Sequence, residues 1–281
     1  MNFFRYVSAL LLLSLGLCAA EEASPAQKEL QSIITRQQLL LAKAAAEEGK
    51  GLDVEGLKTK VQDIVYEYEG YIKKHPDVAA GYVAYGALLD KIEMRREATV
   101  MYLRANKLDS DIPFVKNQLG NHLAEDGKPL LAANYFIAAI KLDPKEPLYH
   151  YQLGTLLTEA RDEFLTSGEW TKSSVEHAMQ EAFRRAAELA PNRIEFTYRY
   201  CESFYDLEKP DWDAALKAWA ALELKLRPGV EQQTVRLHQA NILIKQNKMD
   251  QARIILATVD AGSLMTQKEK LIAQLPENAK K

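Results

Sequence analysis

The sequence predicts an all-α fold, an alpha-solenoid in which helix-turn-helix hairpins stack in series. Three observations predict it. Markers recur 34 residues apart: Gly86 with Gly120, Ala98 with Ala132, Tyr102 with Phe136, Ala105 with Ala139, and the pair Leu119–Gly120 with Leu153–Gly154. Apolar residues between them fall three and four apart, the spacing that places side chains on one helical face. Short polar turns such as AEDGKP and KQNKMD, with prolines at repeat ends, separate the helices. A fixed period of this length marks a stacked array, expected to fold as one elongated unit.

The elements follow in order. Residues 1–20 carry one cation, Arg5, then an apolar run from Val7 to Leu17 and the small residues Cys18, Ala19 and Ala20. That is the layout of a secretory signal peptide cleaved near Ala20, and the run is too short to span a bilayer comfortably. A second reading lipidates Cys18. Leu15-Gly16-Leu17-Cys18 resembles a bacterial lipobox, although Leu17 stands where that motif wants a small residue.

No later stretch is long and apolar enough for a membrane span, so a periplasmic or secreted location is expected. Losing Arg5 moves the formal net charge from −3 to −4. Acids and bases are interspersed without a basic patch, which argues against nucleic acid as a partner. Cys201 would be the one remaining thiol, so stability must come from packing rather than an internal disulfide.

Residues 24–78 read as a degenerate leading hairpin. One helix starts at Ser24-Pro25 and runs to Glu48, the Gly49–Gly51 break and Asp53 follow, and a second helix covers Leu57 to Lys74. Tyr68 lies 34 before Tyr102. On the first helix Leu30, Ile33, Ile34, Leu41 and Ala44 form an apolar stripe that Leu39 and Leu40 widen. The stripe suits packing on the second helix, and its width also suits a homodimer contact.

Residues 79–262 hold five repeats: Ala79 to Ser110, Pro113 to Pro144, Pro147 to Pro191, Ile194 to Pro228, and Thr234 to Val259. In the second, Leu119, Gly120 and Leu123 share one stripe and Ala132, Phe136 and Ala139 another. The small residues let helix backbones approach closely, and Phe136 is expected to fill the gap between units. The third carries an insertion at 160–176, since Pro144 to Pro191 spans 47 positions rather than 34. There Glu163, Phe164 and Leu165 are expected to extend the first helix, Gly168 to end it, and Ser173 with Glu176 to form a capping box. Trp170 is left on the connecting turn, either as a partner anchor or as a cover for the longer hairpin. Within residues 263–281, Ser263 to Leu275 reads as a capping helix, followed by a frayed tail.

This pattern resembles the tetratricopeptide repeat (TPR) family over Ala79 to about Val259, with every spacing kept in the first two repeats. The fourth repeat departs with Cys201 in the glycine slot and Trp219 in the aromatic slot, and the fifth with Ala240 and Leu256. The resemblance implies a scaffold or adaptor that holds a protein or extended peptide in a groove lined by the first helix of each hairpin. The positions that match are Phe114, Asn117, Asn121, Tyr151, Thr155, Glu159, Tyr198, Glu202 and Tyr205, with Val83 and Ala87 before them and Leu237, Asn241 and Lys245 after. Asparagine can both donate to and accept from a peptide backbone, and tyrosine offers rigid contact area. The same residues would also suit a plain solvated face. Val83 and Ala87 stand where the chaperone-tail clamp of some relatives has lysine and asparagine, so an acidic chaperone tail is not the expected ligand.

No catalytic, cofactor or metal site is expected. His75, His122, His150, His177 and His238 scatter through different repeats without the spacing of a helical zinc motif. Cys201 occupies a small-residue slot, which points to burial rather than nucleophilic chemistry. The alternative to a soluble scaffold is an assembly factor anchored to the outer membrane through lipidated Cys18.

Overall fold

A computed structural model describes residues 23–47 and 53–276. The signal segment 1–20 with Cys18, the Gly49–Gly51 break and the tail beyond Pro276 lie outside the described residues. Among those described there are fourteen α-helices, two 3-10 turns and no strand. No helix among them is long and apolar enough to cross a membrane. The chain divides into two compact units at Leu119–Gly120, inside a helix, where the sequence anticipates one unit.

The first unit opens with α1 (Pro25–Glu47) and α2 (Val54–Lys74), followed by α3 (Ala79–Lys91), α4 (Arg95–Leu108) and the start of α5 (Pro113–Glu125). Asp53 caps α2 by accepting from the Gly56 amide at 2.9 Å. α1 buries Leu30, Ile33 and Ala44, and also Gln37. The Tyr68 hydroxyl donates to Gln37 Oε1 at 2.6 Å, which satisfies a polar group the apolar stripe could not reveal. Leu39 is left 71% exposed on the same helix.

The second unit holds the rest of α5, then α6 (Pro129–Leu142), α7 (Pro147–Glu159), α8 (Arg161–Thr166) and α9 (Lys172–Leu189). After these come α10 (Ile194–Ser203), α11 (Trp212–Glu223), α12 (Val230–Lys245), α13 (Met249–Ala257) and α14 (Met265–Ile272). Successive helices pack as antiparallel hairpins joined by turns of a few residues.

One contact explains the recurrent glycine and aromatic. A Cβ built on Gly120 would lie 2.7 Å from Phe136 Cε1, on Gly86 2.8 Å from Tyr102 Cε1, and on Gly154 2.8 Å from Phe183 Cε1. Each ring therefore lies on the glycine of its own hairpin. Phe136 braces its own hairpin in this way, and it also belongs to one core cluster with Leu153 and Leu157 of the next hairpin, as expected of a residue that fills the gap between them. The third hairpin keeps the brace despite its insertion, because the extra residues form α8 and a turn outside the contact. In the fourth, Cys201 and Trp219 are both fully buried in one cluster.

Three turns share another device. Glu93 (φ 63°), Gly127 (φ 69°) and Asn247 (φ 60°) all adopt the left-handed conformation. The next residue's amide reaches back to a carbonyl in the last turn of the helix: Met94 to Leu89 at 2.9 Å, Lys128 to Leu123 at 2.9 Å, Lys248 to Leu243 at 2.8 Å. These are Schellman closures, which satisfy helix-end carbonyls while reversing the chain.

The insertion is built differently from its expectation. α7 stops at Glu159, α8 is a separate turn and a half, and Gly168 at φ 75° leads into α9. The capping box belongs to Thr171 and Ser174, whose side chains each accept from the other's backbone amide. Ser173 and Glu176 do not form one. Glu176 faces inward instead, pairs with Arg161 and accepts from the Glu208 amide at 3.0 Å, while Arg161 donates to the Asp206 carbonyl at 2.7 Å. The insertion thus straps the loop that follows α10.

Candidate functional site

α7, α10 and α12 are first helices of consecutive hairpins, and their shared side carries a cleft of about 500 Å³. Tyr151 contributes from α7, and Ile194, Glu195, Tyr198, Arg199 and Glu202 from α10. Leu226, Glu231 and Thr234 close it from the turn before α12 and its first two turns. Three residues selected from the sequence, Tyr151, Tyr198 and Glu202, are brought together here.

Helical spacing explains the lining. Ile194 or Glu195, Tyr198 and Glu202 lie three to four apart, so they project from one face of α10 while Phe196 and Cys201 face inward and are fully buried. Tyr151 is held by rings on two sides, with centroids 4.7 Å from Phe196 and 5.8 Å from Phe183. Arg193 lies 3.9 Å over Phe196 and Arg199 4.6 Å over Phe183, so guanidinium groups already cap this aromatic stack.

The charges of the cleft are unevenly committed. Arg199 donates to Thr158 Oγ1 at 3.0 Å and pairs with Asp206 at 3.2 Å, while Glu202 is 3.8 Å away. Burial, with the Asp206 charge adding to it, pushes the Glu202 carboxyl above the usual carboxylate range against the pull of Arg199. Glu195 is paired with Arg193 at 3.3 Å. Glu231 is exposed and has no ion-pair partner among the described residues.

Behind Tyr198 is a cluster that residue spacing alone does not reveal. His238 lies flat on Trp219, with Tyr198 Oη 3.1 Å from its Nε2 and Tyr205 Oη 3.3 Å from its Nδ1. Burial lowers the imidazole pKa from 6.5 to about 4, so it is neutral. Tyr205 is therefore engaged beside the cleft rather than lining it. The signal was present in outline, since His238 and Trp219 sit on facing helices, but nothing in the spacing singles out this histidine among five.

The other selected residues are placed as follows. Phe114, in the first unit, is half-buried with its ring edge-on to Tyr102 at 6.0 Å. Asn117 is 1% exposed, with Nδ2 donating to Gln118 Oε1 at 3.3 Å and Oδ1 lacking any partner. It does not lie open on a groove. Val83 and Leu237, its equivalents in two other hairpins, are 4% and 5% exposed, whereas Tyr151 and Tyr198 at the same position of the third and fourth hairpins line the cleft. In the second unit Asn121 accepts from Gln152 at 2.9 Å, and Thr155 is half-buried with an unpartnered hydroxyl. Trp170 packs edge-on against Phe164 at 5.3 Å, as a cover over the long hairpin.

Cys201 is buried and burial pushes its thiol up to about 12, the state of an inert packing residue. His150 is buried with Nε2 3.0 Å from the Pro144 carbonyl. No group of three or more His, Cys, Asp or Glu side chains suited to a metal occurs among the described residues.

No family model matches the chain, and no curated protein matches it either. Its likeness is to solved structures. YrrB, a TPR protein with an unusual peptide-binding site, superposes with a TM-score of 0.56 at 18% identity, over 75% of this chain and 93% of that one. PilF of Pseudomonas aeruginosa gives 0.55 at 15% identity, over 89% of this chain and 100% of that one. The C-terminal part of a TPR repeat-containing protein from Cytophaga hutchinsonii gives 0.55 at 16% identity, over 89% and 98%. At such identities the likeness is one of fold, and the fold is that of stacked tetratricopeptide hairpins.

Proposed function

We propose that this protein is an exported scaffold or adaptor that holds a protein or extended peptide partner along the first-helix side of its hairpins. The observation that carries the reading is the cleft of about 500 Å³, because residues from three successive first helices line it, two of them tyrosines. A cleft that combines aromatic and aliphatic side chains with the polar groups of Glu195, Arg199, Glu202, Glu231 and Thr234 suits recognition of another chain. The described side chains support positioning and binding rather than bond-breaking, since the buried thiol and histidine are held inert within the packing.

A photo-crosslinking residue at Thr234, inside the cleft, should yield a polypeptide adduct in the protein's native compartment. The same group at Leu224, which is 89% exposed outside the cleft, should not. Absence of an adduct from position 234, or equal adducts from both, overturns the reading.

Export rests on the N-terminal segment. The lipidated form, an outer-membrane assembly factor, is the second reading, favoured by the Leu-Gly-Leu-Cys run ending at Cys18. Mass spectrometry of the mature N-terminus separates them: free Glu21 for the soluble form, diacylglyceryl Cys18 for the anchored one.

A further inference from the structure

The scaffold reading leaves open what kind of segment the cleft selects, and its charges bear on that. Both of its best-placed carboxylates lack a dedicated cation. Glu202 shares Arg199 with Asp206 and is the more distant of the two, and Glu231 has no ion-pair partner among the described residues. The guanidinium of Arg199 is drawn away by Thr158 and Asp206 and by its seat over Phe183, so it is poorly placed to receive an anion. An acidic segment would meet repulsion here. A wholly apolar segment would strip water from Glu202 without replacing it, which is costly for a carboxylate.

We propose that the cleft selects a basic side chain, lysine or arginine, from the bound polypeptide. Its aliphatic stem lies along Ile194 and Leu226 and its cation lies between Glu202 and Glu231, beside Tyr198. Long cationic side chains combine these two requirements, an apolar stem and a charged head. A partly desolvated carboxylate gains most from a cation placed beside it, which is why Glu202 is assigned the larger share.

This inference rests on the scaffold reading and can fail separately from it. The probes are fluorescein-labelled Gly-Leu-Xaa-Leu-Gly amides with Xaa as Arg, Lys, Gln or Glu, titrated with the intact protein by fluorescence anisotropy at low salt. The Arg and Lys probes should bind at least about tenfold tighter than the Gln probe, a preference worth one decade of affinity. The Glu probe should bind weakest, and added salt should compress the series. In Glu202→Gln/Glu231→Gln, checked for unchanged helicity, the basic and Gln probes should bind within about twofold of each other.

A Gln probe that binds as tightly as the basic ones, or a Glu probe that binds tightest, overturns the charge selection while polypeptide binding stands. No binding by any probe, with the adduct from position 234 still formed, also overturns it alone. Loss of that adduct removes the scaffold reading itself.

Discussion

His238 stacks on Trp219 with ring centroids 4.1 Å apart and planes 3° from parallel. The imidazole is enclosed by indole and by two tyrosine hydroxyls, and burial holds its pKa at about 4 against an ordinary 6.5. As pH falls through 6.5 the unfolded chain takes up a proton at this residue and the native protein does not. Stability from His238 is therefore full above about pH 6.5, declines below it, and is lost by about pH 4. The loss amounts to at most about 3 kcal/mol at 1.36 kcal/mol per pKa unit. Urea unfolding across this range should show the decline in the native protein and a shallower one in His238→Gln, with carboxylate effects common to both.

The glycine–aromatic brace sets a second expectation. Gly120→Ala places a methyl 2.7 Å from Phe136 Cε1 and should cost about 1–3 kcal/mol through overpacking, despite the better helix propensity of alanine. Combining it with Phe136→Leu should cost less than the two single changes together, because the offending ring is gone. Additive losses in thermal unfolding would show that the two side chains do not meet.

The three Schellman turns contain an internal comparison. Gly127 occupies its left-handed position without strain, whereas Glu93 does so with a Cβ, at an exposed site. Glu93→Gly should therefore stabilise the protein by about 1 kcal/mol. Asn247→Gly should change it by only a few tenths, since asparagine tolerates this conformation. Chemical denaturation midpoints with unchanged slope would check both.

Asn117 is buried with an unpaired carbonyl oxygen, a cost that an apolar residue of similar size would relieve. Asn117→Leu should raise stability by about 1 kcal/mol. A loss of similar size would mean that the oxygen has a partner.

These residues also show which features were legible in the sequence. The glycine, alanine and aromatic markers gave the helical hairpins, because the period of a stacked array is imposed by packing contacts such as Gly120 on Phe136. α10 was legible as a face, since Tyr198 and Glu202 are four apart and both line the cleft. Asn117 was not, because spacing fixes the direction of a side chain around its helix but not how deeply it is buried. Glu176 was misplaced for a related reason. A capping box is a local pattern, while its actual partners, Arg161 and the Glu208 amide, are brought in by the tertiary fold. His238 needed two helices to be seen side by side.

Occupation of the cleft formed by α7, α10 and α12 by a polypeptide has a direct spectroscopic readout. Methyl NMR of the protein, labelled at Ile, Leu and Thr and titrated with the partner segment identified by crosslinking, tests it most directly. Signals of Ile194, Leu226 and Thr234 should shift or broaden while those of Leu224 and Ile254, exposed at 89% and 69% elsewhere on the second unit, stay fixed. Shifts at Leu224 and Ile254 with the three cleft methyls unmoved would contradict it.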